Sequence, residues 1–241
     1  MSTTQLITTL TFSTLIIASA SLASEDLGPA EGFTIFTFQS FQANHTNCTG
    51  RVAVGGPATY NTVGIGSALL NSNGQRDDLI VAGNLTWIGG DNFNGNIQVA
   101  GPVNLNNVDV PNGTVGENVE IDFCAAENEL QDISDTIAAI PSNGEAVRED
   151  NQLLLTGTHE TLNVFTITSD CLHQIVELIV HVPEESSVLV NMNLNTVKLK
   201  NFEIVLVGCD ATYVWFNIPD TTKIQLKNIA WKGTIRTPKA K

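Results

Sequence analysis

The sequence predicts a mainly β protein with one amphipathic helix, and three observations carry that prediction. Short apolar runs ended by glycine recur in the first half: Arg51-Val-Ala-Val-Gly-Gly56, Asp78-Leu-Ile-Val-Ala-Gly83 and Asn96-Ile-Gln-Val-Ala-Gly101. From Leu153 to the end, runs that alternate apolar and polar residues follow one another closely, which is the period of a half-buried strand. Between these regions one stretch, roughly 120–140, carries a helical stripe.

At the N-terminus, an apolar-leaning segment from Leu6 to Ile17 leads into the small residues Ala18-Ser-Ala20-Ser-Leu-Ala23, the layout of a secretory signal peptide over 1–23. No Lys or Arg precedes Arg51, so the positive charge of such a signal rests on the α-amino group. The segment is short and rich in Thr and Ser for a membrane span, and no later apolar run matches its length. About 218 residues remain after Ala23, read as a single domain over 24–241 because no low-complexity linker divides them.

In that domain Phe33-Thr-Ile-Phe36-Thr-Phe38 opens with period-2 alternation. Aligning Val54, Val81 and Val99 of the three glycine-ended runs gives steps of 27 and 18 residues, in the range of one coil of a β-solenoid. Asn-Gly pairs at 73–74, 94–95 and 112–113 fit hairpin turns equally well, so the residues alone leave a solenoid and a β-sandwich both open. The helix follows: Ala126, Leu130, Ile133, Ile137 and Ile140 fall on one stripe, and Pro141-Ser-Asn-Gly144 ends it. Strands are then expected at 153–155, 163–168, 175–182, 187–191, 196–199, 203–207, 213–218, 223–226 and 232–236.

Composition narrows the function classes. Charged residues make up 15% of the chain, with 25 acidic against 11 basic and a pI near 4.4, which argues against nucleic-acid binding. The basic residues concentrate at the end, with Lys198, Lys200, Lys223, Lys227, Lys232, Arg236, Lys239 and Lys241 against only Glu203, Asp210 and Asp220. That end either meets an acidic polymer or compensates the acidic remainder of its own fold. Cys48, Cys124, Cys171 and Cys209 lie far apart with no CxxC pair; behind a signal peptide they are expected to form two disulfides, of undetermined pairing. N-glycosylation sequons begin at Asn44, Asn47, Asn84 and Asn112.

Little points to catalysis, and no cofactor is implied. The acid pairs Asp77-Asp78 and Glu184-Glu185 open a strand and sit in a turn, and His45, His159, His173 and His181 show no ligand spacing. No nucleophile elbow or phosphate-binding glycine loop occurs. A weak calcium candidate is Asp91, Asn92, Asn94 and Asn96 on a Gly-rich turn, where an ordinary corner explains the same residues. Threonines at 34, 37, 59, 62, 86, 156, 158, 166 and 168 show no repeat matched to coils, which weighs against an ice-binding face.

Several segments together carry a family resemblance. Phe33-Thr-Ile-Phe36, Gly50-Arg-Val-Ala-Val-Gly-Gly56, Asp78-Leu-Ile-Val-Ala-Gly-Asn84 and Asn94-Gly-Asn-Ile-Gln-Val-Ala-Gly101 come first. Asn163-Val-Phe165, Val188-Leu-Val-Asn-Met192, Trp215-Phe-Asn-Ile-Pro-Asp220, Gly233-Thr-Ile235 and Pro238-Lys-Ala240 follow in order. In these the chain resembles the choice-of-anchor A family, secreted domains found mainly on bacterial surface proteins. The resemblance implies a right-handed β-helix-like solenoid with the helix of about 120–140 packed alongside, and surface display or adhesion to matrix, wall polymer or glycan. Arg236-Thr-Pro-Lys-Ala-Lys241 departs from the more apolar end of that family, and secretion without a covalent anchor is the expectation. The expectation is thus a secreted, non-catalytic binding or structural protein; an ice-binding protein and a polysaccharide-active enzyme are the alternatives.

Overall fold

The computed structural model describes residues 28–227, 229 and 231–240, so the expected signal segment 1–23 lies outside the described residues. The first half runs through β1 (Phe33–Thr37), β2 (Phe41–Cys48), β3 (Arg51–Val54), β4 (Ala58–Ile65), β5 (Asp77–Val81), β6 (Leu85–Asn92), β7 (Asn96–Val99), β8 (Val103–Asp109) and β9 (Val115–Gly116). Odd strands form sheet A, in the order β1-β3-β5-β7-β9, and even strands form sheet B, in the order β2-β4-β6-β8. Every pairing in both is parallel, so each pass of the chain adds one strand to each sheet.

The corner from sheet A to sheet B explains why each apolar run ends in glycine. Gly83 N–H donates to Gly56 O and Gly101 N–H to Gly83 O, both at 3.2 Å, stacking one glycine per pass. A Cβ on Gly83 would lie 2.6 Å from the Gly56 carbonyl carbon, and one on Gly101 would lie 2.8 Å from that of Gly83. Only a residue without Cβ lets the corners approach this closely.

The helix α1 (Phe123–Ala138) links the halves. Asp122 caps it, accepting from Cys124 N–H at 3.1 Å and Ala125 N–H at 3.0 Å. Its buried residues are Ala126, Leu130, Ser134 and Ile137. The expected stripe is therefore rotated by one position near its end, with Ser134 in the place assigned to Ile133. The helix bridges both halves: Phe123 packs on Phe36 of β1, ring centroids 5.4 Å apart, while Ile137 packs with Val164, Leu189 and Trp215 of the second half.

The second half comprises β10 (Glu145–Glu149), β11 (Gln152–Thr156), β12 (Leu162–Thr168), the one-turn α2 (Ser169–Leu172), β13 (Glu177–His181), β14 (Ser187–Asn193), β15 (Thr196–Lys200), β16 (Glu203–Val207), β17 (Val214–Asn217), β18 (Lys223–Lys227) and β19 (Thr234–Arg236). Three sheets result: C (β10-β11-β13-β16), D (β12-β14-β17-β19) and E (β15-β18). All pairs are parallel except the β10–β11 hairpin at one edge of sheet C. The architecture is mainly β with parallel sheets, consistent with a β-helix-like winding.

The parallel pairing corrects the sandwich alternative. The Asn-Gly pairs, which fit hairpin turns and solenoid corners equally well, turn corners between sheets. Asn73 and Gly74 adopt positive φ of 51° and 75°, and Asn94-Gly95 and Asn112-Gly113 join strands of different sheets. No disulfide joins the four cysteines in the structure, so the expected pairing finds no support there. Cys48 is buried in the first core, Cys124 is exposed on the first turn of α1, and Cys171 and Cys209 both pack against the second core.

Candidate functional site

Parallel pairing turns every second residue of a strand into a row that runs across its sheet. On sheet D the outward row is covered. Asn191 Nδ2 donates to Ile137 O, and Asn217 Nδ2 donates to both Ser134 O and Asn191 Oδ1, each at 3.0 Å. The Ser134 hydroxyl donates to Asn217 Oδ1, so the helix is joined to the sheet through satisfied, buried amides.

Sheet B carries outward rows of similar residues with no helix over them among the described residues. One row is Gln42, Thr59, Thr86 and Asn104, and the next is Asn44, Asn61, Ile88 and Asn106. Most are exposed, and none of the eight is charged. Adjacent members of a row are about 4.8 Å apart and the two rows about 7 Å apart. The face is a regular grid of amides and hydroxyls interrupted by Ile88.

Aromatic residues behind the sheet hold that grid. Phe41, Tyr60 and Trp87 meet edge to face, with centroids 6.0 Å and 5.4 Å apart, and Tyr60 and Trp87 are almost wholly buried. Burial pushes the Tyr60 phenol well above its ordinary range, and its hydroxyl has no hydrogen-bond partner among the described residues. Next to the grid each strand bends at one left-handed residue: His45 (φ 51°), Thr62 (53°), Gly89 (70°) and Asn107 (55°). The Trp87 indole N–H donates to Gly89 O at 3.0 Å and pins one of these bends from within. A Cβ on Gly90 (φ 121°) would lie 1.9 Å from Val63 O, so that rung needs a glycine there.

The other exposed faces differ in chemistry. The outward row of sheet C is apolar, formed by Val147, Leu154, Ile179 and Val205, and beside it run Glu149, Gln152, Glu177 and Glu203. Gln152 donates to Glu177 within that second row.

The residues singled out from sequence disperse. Asp78 is buried and held by Arg76 at 2.6 Å, while Asp77 accepts from Asn96 and Gln98, so this acid pair braces a strand. Glu184 and Glu185 lie exposed in a turn, with Glu185 N–H donating to Gly208 O. The four histidines sit exposed on separate segments, and no cluster of metal-ligating side chains occurs among the described residues. Of the calcium candidates, Asn92, Asn94 and Asn96 each donate to a backbone carbonyl, of Gly95, Gly66 and Gly74 respectively. Asn96 Oδ1 accepts from Thr114 N–H, leaving Asp91 as the carboxylate of the group. Among the sequons, Asn44, Asn47 and Asn84 are exposed, whereas Asn112 Nδ2 is engaged with Phe93 O at 2.8 Å. Asn44 lies within the grid itself.

Sequence reasoning missed the grid. Its signal was the recurrence of a polar-x-polar triplet, Gln42-Ala-Asn44, Thr59-Tyr-Asn61 and Asn104-Leu-Asn106, one for each pass except at Thr86-Trp-Ile88. No helix among the described residues is long and apolar enough to cross a membrane. In comparison with known families, one family, described as an ice-binding-like adhesive domain, matches over residues 26–241. It supports an adhesive-like domain without singling out choice-of-anchor A. No curated protein and no solved structure matches the chain.

Proposed function

The chain belongs to the ice-binding-like adhesive domain family, and from that premise we propose that it is an extracellular, non-catalytic adhesion domain of right-handed β-helix-like fold whose binding surface is the outer face of sheet B. The ligand is a neutral glycan of a wall or matrix. One observation carries the reading: eight in-register outward positions without a charge, in a chain of net charge −14. Such a surface presents no field to repel or select ions, and it offers repeated donors and acceptors to a polymer rich in hydroxyls. Each contact is weak, but a polymer engages several at once, and the second and later contacts form at high effective concentration. A closer kinship to choice-of-anchor A domains is supported by segments that fall on β1, β3, β5 and β7.

The test is co-sedimentation with insoluble cellulose, chitin and β-1,3-glucan. Binding to at least one is expected, and Thr59→Lys/Thr86→Lys is expected to weaken it at least tenfold with an unchanged melting temperature. Undiminished binding by that variant would remove sheet B from the account. Ice is a second reading, favoured by Thr59 and Thr86 standing side by side on a regular sheet. Thermal hysteresis without polysaccharide binding would select it.

A further inference from the structure

Sheet E has a chemistry that the neutral grid does not use. Its two strands pair in parallel, with Thr196 opposite Lys223, Lys198 opposite Gln225 and Lys200 opposite Lys227. Val197 and Leu199 are buried, and Ile224 packs against the same core, which fixes the facing of both strands. Lys198, Lys200 and Lys223 are exposed on the outer side. These three and Lys227 are four of only 11 basic residues in the chain.

With 25 acids available, pairing would be the ordinary outcome. The ion pairs described are Arg76–Asp78 and Lys239–Asp220, and among the described residues Lys198, Lys200 and Lys223 join none. On this register Lys198 and Lys200 stand about 7 Å apart along β15, and Lys223 lies diagonally about 8 Å from Lys198, so their like charges repel one another. An anion laid across them relieves that repulsion. The acidic remainder of the molecule does little to oppose this, because charges more than about 8 Å away are largely screened at physiological ionic strength.

We propose that the outer face of sheet E binds an acidic polysaccharide, one whose carboxylate or sulfate groups lie across Lys198, Lys200 and Lys223. Thr196 and Gln225 stand between the lysines and supply hydrogen bonds to sugar hydroxyls. Single-stranded nucleic acid fits the face less well, since none of its outward positions is aromatic and bases have nothing to stack on. The site is separate from sheet B, so each can fail without the other.

The experiment measures binding of the whole domain to polygalacturonate, dextran sulfate, uncharged dextran and a DNA oligonucleotide at 50 and 300 mM salt. The expected result is binding to an acidic polysaccharide that weakens with salt, falls at least tenfold in Lys198→Glu/Lys200→Glu/Lys223→Glu, and survives in the corresponding Lys→Arg variant. If the glutamate variant misfolds by circular dichroism, Lys198→Gln/Lys200→Gln/Lys223→Gln replaces it, with the same loss expected. Binding that ignores these substitutions, tighter binding to DNA, or no binding to either acidic polysaccharide would overturn the proposal.

Discussion

The two halves of the molecule use the same residue types for opposite ends. In the second half, Asn191 and Asn217 point outward from sheet D and are buried beneath α1, every amide bonded to the helix or to each other. In the first half, Asn44, Asn61 and Asn106 point outward from sheet B and are exposed, with no layer above them among the described residues. Asparagine on a strand is a structural clamp where a helix covers it and a surface donor where nothing does. What decides is the partner layer, and its absence among the described residues is what leaves the outer face of sheet B exposed.

Truncating a core side chain should cost most. Trp87→Ala in the first core and Phe216→Ala in the second are each expected to destabilise by about 3–5 kcal/mol, read by urea denaturation. Because α1 packs on both halves, each should shift one cooperative transition; two separate transitions would mean that the halves are uncoupled. Next comes Gly83→Ala, at about 2–3 kcal/mol, because the added Cβ meets backbone of the neighbouring pass. A cost below 1 kcal/mol would show that the corner stack yields readily.

The asparagine comparison predicts a smaller but sharper contrast. Asn217→Ala leaves Ser134 and Asn191 without their partner and should cost about 1–3 kcal/mol, while Asn61→Ala should lie within about 0.5 kcal/mol of neutral. Equal costs would break the distinction between clamp and surface donor. The smallest effect concerns pH. Burial raises the Tyr60 phenol above its ordinary 10.0 and the Cys48 thiol above its ordinary 9.0. The unfolded chain therefore releases these protons first, and stability contributed by the neutral groups is present below about pH 9 and falls as pH rises beyond it. Tyr60→Phe should flatten the alkaline limb of a melting-temperature profile, and an unchanged limb would exclude Tyr60 as its source.

These contrasts also explain how much could be read beforehand. Sheet A was legible because Val54, Val81 and Val99 precede a steric need for glycine that leaves a mark at every pass. The later strands were legible because their alternation is unbroken, as in Val188-Leu-Val190. Sheet B was hidden by its bends: inward residues run Phe41, Ala43, then Thr46 and Cys48, so His45 reverses the phase midway. Thr62, Gly89 and Asn107 do the same, and a strand that changes phase after four residues shows no clean period. Ser134 escaped notice because a serine on an apolar stripe reads as its edge until Asn217 is seen opposite it. Asp77-Asp78 and the Asn-rich turn drew attention as chemistry, yet Asp77, Asp78, Asn92, Asn94 and Asn96 bind the chain's own backbone and neighbouring side chains.

The central claim is that sheet B, and not another exposed face, is the adhesive surface. Its most direct test places one lysine on each of two faces, Thr59→Lys on sheet B and Ile179→Lys on sheet C, and compares binding to whichever neutral polysaccharide the unmodified domain retains. The account predicts that Thr59→Lys weakens binding severalfold while Ile179→Lys leaves it unchanged, both proteins melting as the parent does; the reverse pattern would contradict it.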